Sequence, residues 1–152
     1  MSLSVRHVTP ADIYDLRRRV LRSDDPTADV GDPRDHDEDA RHYGAFLGDR
    51  IVGCGSIYTS TSPVHPEVPT HQLRYLATDF DVQGQGVGAA ILTMMEAEAF
   101  ARGAREIWAN GRDTALGFYR RLGWHLVEGS EHLSPYTGLP HTVIWKALGN
   151  EG

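Results

Sequence analysis

Three glycines fall within five positions of DVQGQGVGAA, residues 81–90, after the strand-like run QLRYLATDF and before an apolar run from Ala89 to Met95. Glycine inside a regular element costs stability. Gly84, Gly86 and Gly88 therefore mark either a tight turn or a place where something approaches the backbone. A glycine-rich turn that opens a helix exposes amide N–H groups, and the helix N-terminus adds partial positive charge. Together these favour an anion, most often phosphate. Two common phosphate motifs are excluded by spacing. No Lys-Ser/Thr follows the last glycine, and the glycines read G-x-G-x-G rather than G-x-G-x-x-G, with no acid ending a parallel strand beyond them. A phosphate site and a structural turn both remain open at this level.

A second candidate is Tyr119 in ALGFYRRLG, where Ala115, Phe118 and Leu122 share its inward side at helical spacing. It reads either as a core tyrosine or as a proton donor. Cys54, the single cysteine, lies in the apolar run RIVGCGSIYTS and reads as a small buried core residue. One cysteine excludes an intrachain disulfide and a multi-cysteine zinc site, and no metal is expected.

The elements that must position these residues follow from pattern. LSVRHV alternates as a strand, and TPADIYDLRRRVLR opens a helix with Thr9 as N-cap, Pro10 at the first position and Asp12 in the first turn. Residues 24–39 hold eight acids against one arginine, with two prolines, and read as a loop or short helix exposed to water. HYGAFLGDRIVGCGSIYTS predicts a hairpin turning at Gly48–Asp49, TSPVHPEVPTH a proline-rich loop, and QLRYLATDF a strand. Helical spacing of Val87, Ile91, Met94 and Ala101 ends at Gly103, a C-terminal cap. REIWAN is a strand, DTALGFYRRLG a helix capped by Asp113 or Thr114, and WHLVEG and HTVIWKAL closing strands. The order β-α-(acidic segment)-β-β-β-α-β-α-β-β predicts one α/β domain over 1–152, with a mixed, mostly antiparallel sheet and helices on both faces. The segment from Leu73 to Asn110 predicts a parallel, right-handed crossover.

The chain has 152 residues, 40% of them hydrophobic and 24% charged, with net charge −6. That suits one soluble domain and argues against nucleic acid as the main partner. With no basic and apolar leader and no apolar stretch long enough to span a bilayer, the expectation is a cytoplasmic protein with no membrane partner.

Gln83-Gly84-Gln85-Gly86-Val87-Gly88 resembles the Q/R-x-x-G-x-G/A signature of the GNAT superfamily of N-acetyltransferases. The similarity extends over residues 73–124, to an ending of aromatic-Tyr followed by Leu-Gly-aromatic. The resemblance implies an α/β sandwich whose sheet opens in a V-shaped splay. It implies acetyl-CoA as cofactor, its pyrophosphate held by the amides of Gln83, Gly84, Gln85, Gly86, Val87, Gly88 and Ala89. Its pantetheine arm would pair with the backbone of Leu76, Ala77 and Thr78, where the family strand carries a bulge that frees an N–H for the thioester oxygen. Asn110 and Arg112 would bind the pantetheine amide or a phosphate, with a solvated role for Arg112 equally open.

Attack of an amine on a thioester needs a neutral amine, a polarised carbonyl and a protonated leaving thiolate. Tyr119 matches the tyrosine that many relatives use as general acid. Relatives with a side-chain base place Glu or His where this chain has Gln72 and Arg74, and neither can serve. Either a water chain or one of Glu67, His71, His132 and His141 would then take the proton. Gln72, Arg74 and His141 are assigned to the acceptor side; Arg74 would hold a substrate carboxylate or pair with the acidic segment. That segment would favour a cationic acceptor or simply be solvated. The leading expectation is transfer of an acetyl group to a small-molecule amine through a ternary complex. Its rivals are a protein N-terminal or lysine acetyltransferase, a non-catalytic acyl-CoA sensor and a nucleotide-binding regulatory domain. Many relatives pair as homodimers.

Overall fold

The computed structural model describes residues 2–149, so the ends of the expected 1–152 domain lie outside the described residues. The chain divides into two compact units: the residues up to Thr59 with Leu73–Glu98, and Ser60–Gln72 with the residues from Ala99 on.

The first unit opens with β1 (Leu3–His7), antiparallel to β2 (Arg41–Leu47). Between them, α1 (Pro10–Leu16) starts as its sequence predicts, the Asp12 carboxylate accepting from the N–H and the hydroxyl of Thr9, both at 2.9 Å. The helix then widens into a π-turn over Arg17–Leu21, a local insertion common at functional sites. β2 and β3 (Arg50–Thr59) form the expected hairpin, Leu47 opposite Arg50 across Gly48–Asp49. The strand order is β1-β2-β3-β4, with β4 (Thr70–Thr78) reaching this unit from Leu73 on. α2 (Val87–Ala101) closes the unit.

Successive β3 residues send side chains to opposite faces, which separates the two helices. Cys54 packs with Ile13 and Leu16 of α1 and Ala77 of β4. Its neighbours Gly53 and Gly55 face α2, where an added Cβ would lie 2.5 Å from Val87 Cγ1 at Gly53 and 3.0 Å from Met95 Cε at Gly55. Helices on both faces are thus present within this unit, and α2 can approach the sheet because β3 gives up two side chains.

In the second unit the strand order is β4-β5-β8-β6, with β7 also on β8. β5 (Glu106–Arg112) runs parallel to β4 over Thr70–Gln72, the parallel pairing expected of the crossover, and antiparallel to β8 (Pro140–Ala147) over its whole length. The expected strand HTVIWKAL is found as β8, but the closing strand before it is shorter than the sequence predicts and a further one appears. β6 is His125–Leu126 alone, and a further short strand, β7 (His132–Leu133), pairs with the start of β8. α3 (Leu116–Arg121) follows a single 3-10 turn, Asp113–Ala115, which displaces its cap from Asp113 or Thr114 to Ala115. The sheet as a whole is open and mostly antiparallel.

One expectation fails. Residues 24–39 are not simply a solvated loop: Asp32 and Asp35 are buried, at 7% and 3% exposure. Buried carboxylates require partners, and both find arginines within the unit. Asp35 accepts from Arg17 Nη1 at 2.9 Å, Arg17 Nη2 at 3.2 Å, the Tyr14 hydroxyl at 3.1 Å and the Tyr58 hydroxyl at 2.5 Å. Asp32 accepts from Arg34 Nε at 3.0 Å and Arg74 Nη1 at 2.7 Å. The acidic segment is pinned to the sheet by charge.

Candidate functional site

The glycine turn has the geometry of an anion cradle. Gly84 and Gly86 hold φ of +80° and +85°, a left-handed conformation that side chains disfavour, and a Cβ at either would meet nothing within 4 Å. The turn is therefore open, not packed against the fold. Hydrogen bonding of α2 begins with the Ala90 amide donating to Gly86 O at 3.0 Å, so the amides of Val87, Gly88 and Ala89 have no helical acceptor. Among the described residues, no backbone bond outside the regular elements uses an amide from Gln83 to Ala89. Gln83 reaches back instead, its side-chain amide donating to Thr78 O at 3.1 Å and tying the turn to the end of β4. Leu76, Ala77 and Thr78 thus lie on the strand that feeds this turn, and all ten of these residues belong to one unit.

β4 carries an irregularity that its residue pattern alone does not announce. Tyr75 holds φ of +61°, the one left-handed non-glycine residue among those described. Its carbonyl accepts from Cys54 Sγ at 3.4 Å. Cys54 is fully buried, and burial pushes its thiol up to about 12. It is a neutral core residue with a weak donor, not a thiolate nucleophile. Cys54→Ala should cost about 1 kcal/mol of stability for the small void and leave turnover within a few-fold. Loss of activity from a folded Cys54→Ala protein, read by thiol release, would restore the nucleophile reading.

Around Tyr75 lies the buried network anchored by Asp35. Arg17, with no exposed surface, also donates to Val30 O at 2.9 Å and Ser56 Oγ at 2.9 Å. His42 Nε2 lies 2.8 Å from Asp35 O, a carbonyl that only accepts, so Nε2 carries the proton and Nδ1 accepts from Ser56 Oγ at 2.7 Å. Burial holds His42 below the ordinary histidine range, which keeps it neutral in this relay. Burial opposes ionisation of Asp35, but the bonds from Arg17 and Tyr58 outweigh it and hold that carboxyl well below the usual range. Arg74 Nη1 lies 2.7 Å from Asp32 Oδ2, the ion pair expected with the acidic segment.

The second unit holds the other candidates. Tyr119 is 7% exposed and packs edge-on against Phe118 and Trp124, each ring 5.2 Å away. Its hydroxyl makes no hydrogen bond to another described residue, and burial pushes the phenol up, so it keeps its proton. Asn110 is exposed and Arg112 half-buried on β5, opposite Val143 and His141 of β8. Gln72 is buried on β4, opposite Trp108.

Among the expected bases, Glu67 is exposed and His71 buried. His132 and His141 lie with ring centroids 6.1 Å apart. Nδ1 of each donates to a carbonyl, Ser130 O and Leu139 O respectively, which leaves the basic lone pair on Nε2. A pair the sequence reading missed is His65 and Glu106, 2.5 Å apart with Glu106 only 2% exposed. Forty-one positions separate them, and no local pattern marks the strand-opening glutamate as buried. Among the described residues no cluster of three or more His, Cys, Asp or Glu could hold a metal, and no helix is long and apolar enough to cross a membrane.

The Acetyltransferase (GNAT) family matches residues 11–124. The chain is 27% identical over 146 residues to the uncharacterized N-acetyltransferase YitI of Bacillus subtilis (strain 168), covering 96% of this chain and 97% of that one. Its fold is similar to FeeM, an N-acyl amino acid synthase from uncultured soil microbes, with TM-score 0.75, 14% identity and coverage of 97% and 90%. It also matches an acetyltransferase of the GNAT family from Staphylococcus aureus Mu50, with TM-score 0.74, 13% identity and coverage of 97% and 100%. At those identities the solved structures speak for the fold alone.

Proposed function

Because this chain belongs to the GNAT family of acetyltransferases, we propose that it moves an acetyl group from acetyl-CoA to the amine of a small molecule, by direct attack in a ternary complex. The observation that carries the reading is the open turn ahead of α2, where Gly84 and Gly86 are left-handed and the amides of Val87, Gly88 and Ala89 have no helical acceptor among the described residues. A pyrophosphate supplies the acceptors those amides lack, in the field of a helix N-terminus.

The donor brings an activated acyl group; the rest is the work of this chain. The amides from Gln83 to Ala89 hold the phosphates, and the backbone of Leu76, Ala77 and Thr78 aligns the arm. Asn110 and Arg112 are assigned further contacts to the donor. Tyr119 keeps its proton in an apolar setting until the departing thiolate takes it, so that charge never accumulates on sulfur. Gln72, Arg74 and His141 are assigned to the acceptor. The proton of the attacking amine passes to a water chain or to one of Glu67, His71, His132 and His141.

Incubation with acetyl-CoA and a panel of primary amines, reading free thiol and acetylated product, tests this function. Thiol release that requires both protein and amine is expected. Tight donor binding without turnover on any amine would instead make the protein an acyl-CoA sensor.

A further inference from the structure

Tyr75 occupies a conformation that an aromatic side chain does not choose. Inside a strand, φ of +61° breaks the alternation of the ladder and re-aims the peptides beside it. Such a residue persists only where its surroundings over-determine it, and here they do. The Arg17 guanidinium lies 3.9 Å from the Tyr75 ring centroid, and that of Arg74 lies 4.5 Å away. Neither arginine is loosely placed. Asp35, Val30 O, Ser56 and Tyr58 fix Arg17, and Asp32 grips Arg74. The ring is therefore held by two cations that are themselves held by the two buried aspartates of the acidic segment.

The backbone consequence follows from peptide geometry. The Tyr75 carbonyl is turned toward Cys54. Across a trans peptide the carbonyl and the next N–H point in opposite directions, so the Leu76 amide is aimed away from Cys54. A thiol donor at 3.4 Å is too weak to hold that orientation alone. The aromatic stack adds a second restraint on the same residue.

We propose that Arg17 and Arg74 act as positioning residues: by clamping the Tyr75 ring they lock β4 in its left-handed kink and set the direction of the Leu76 N–H as the donor that polarises the thioester carbonyl. This rests on the acetyl-transfer reading above. It gives the buried acidic segment a task in catalysis, exerted through the strand and not through contact with an acceptor.

The test uses the carbonyl stretch of bound, carbon-13-labelled acetyl-CoA, with donor affinity and kcat measured on the same proteins. Wild type should bind the donor with its thioester stretch shifted to lower frequency than in water. Tyr75→Phe keeps the ring and should keep the shift. Tyr75→Leu loses the stack, and Arg74→Met removes one of the two clamping cations while Asp32 keeps Arg34, so the second variant folds even if the first does not. Each folded variant should bind acetyl-CoA with affinity near wild type, lose the shift, and fall about 10–10²-fold in kcat. A wild-type shift and rate in folded Tyr75→Leu or Arg74→Met would overturn the clamp, as would an unshifted carbonyl in wild-type protein that binds donor. Failure of wild type to bind acetyl-CoA would remove the acetyl-transfer reading itself, and the titration reports that separately.

Discussion

Replacing Tyr119 with phenylalanine should lower turnover about 10²–10⁴-fold, the usual contribution of a positioned acid or base. The ring and its edge contacts with Phe118 and Trp124 survive the change, and the lost hydroxyl makes no bond to another described residue. Stability and acetyl-CoA affinity should therefore hardly move. The pattern expected is a fall in kcat and kcat/KM together, which marks an interaction made mainly in the transition state. Leaving-group dependence separates this from a packing defect. An activated thioester whose thiolate leaves without protonation should lose less than acetyl-CoA does. Unchanged turnover, measured where chemistry limits it, would return Tyr119 to the core. Equal losses with both donors would point to misplacement of the donor.

Arg17→Ala should cost about 3–5 kcal/mol of folding stability, since it strands Asp35 as a buried, uncompensated charge. That is a large share of the roughly 5–15 kcal/mol available to a domain. Urea unfolding at neutral pH reads it directly. The pH dependence follows in sign. Asp35 has its folded pKa depressed below the unfolded value of about 3.9. Its contribution is therefore full above that value and is lost as pH falls through the folded pKa. His42 adds a smaller effect in the same direction. Being held neutral, it contributes fully above its unfolded pKa of about 6.5 and loses that contribution as pH falls below. Wild type should lose stability progressively on acidification, and Arg17→Ala should show a weaker carboxylate-dependent fall. An Arg17→Ala protein as stable as wild type would mean that the Asp35 site is hydrated, not dry.

What was legible in the chain is what is local. The turn at Gly84–Gly88, the capping of α1 by Thr9 and Asp12 and the Gly48–Asp49 hairpin each depend on neighbours a few positions apart, and each is found. The Asp35 network is invisible for the opposite reason. Its partners stand 18 positions away at Arg17 and 23 at Tyr58. Arg17 is one of three consecutive arginines of which only this one is wholly buried, where the π-turn begins. A run of acids with prolines has the composition of a solvated loop, and only tertiary pairing shows that two of them are not solvated. Tyr75 misled in another way. Aromatic residues favour regular strands, so sequence predicts an ordinary β4 at the one position where the ladder breaks. The family resemblance implied a bulge somewhere in this strand; its position and the side chains around it came only with the fold.

The most direct test of the central claim is the affinity for acetyl-CoA of Gly86→Glu beside wild type, measured by calorimetric titration. Glutamate at Gly86 forces a side chain onto φ of +85° and sets a carboxylate among the amides assigned to the pyrophosphate. Because a Cβ there meets no other part of the fold, the variant should stay folded while its affinity drops by about two orders of magnitude or more, the scale of a few kcal/mol. A folded Gly86→Glu protein that binds acetyl-CoA as wild type does would place the donor elsewhere and contradict the account.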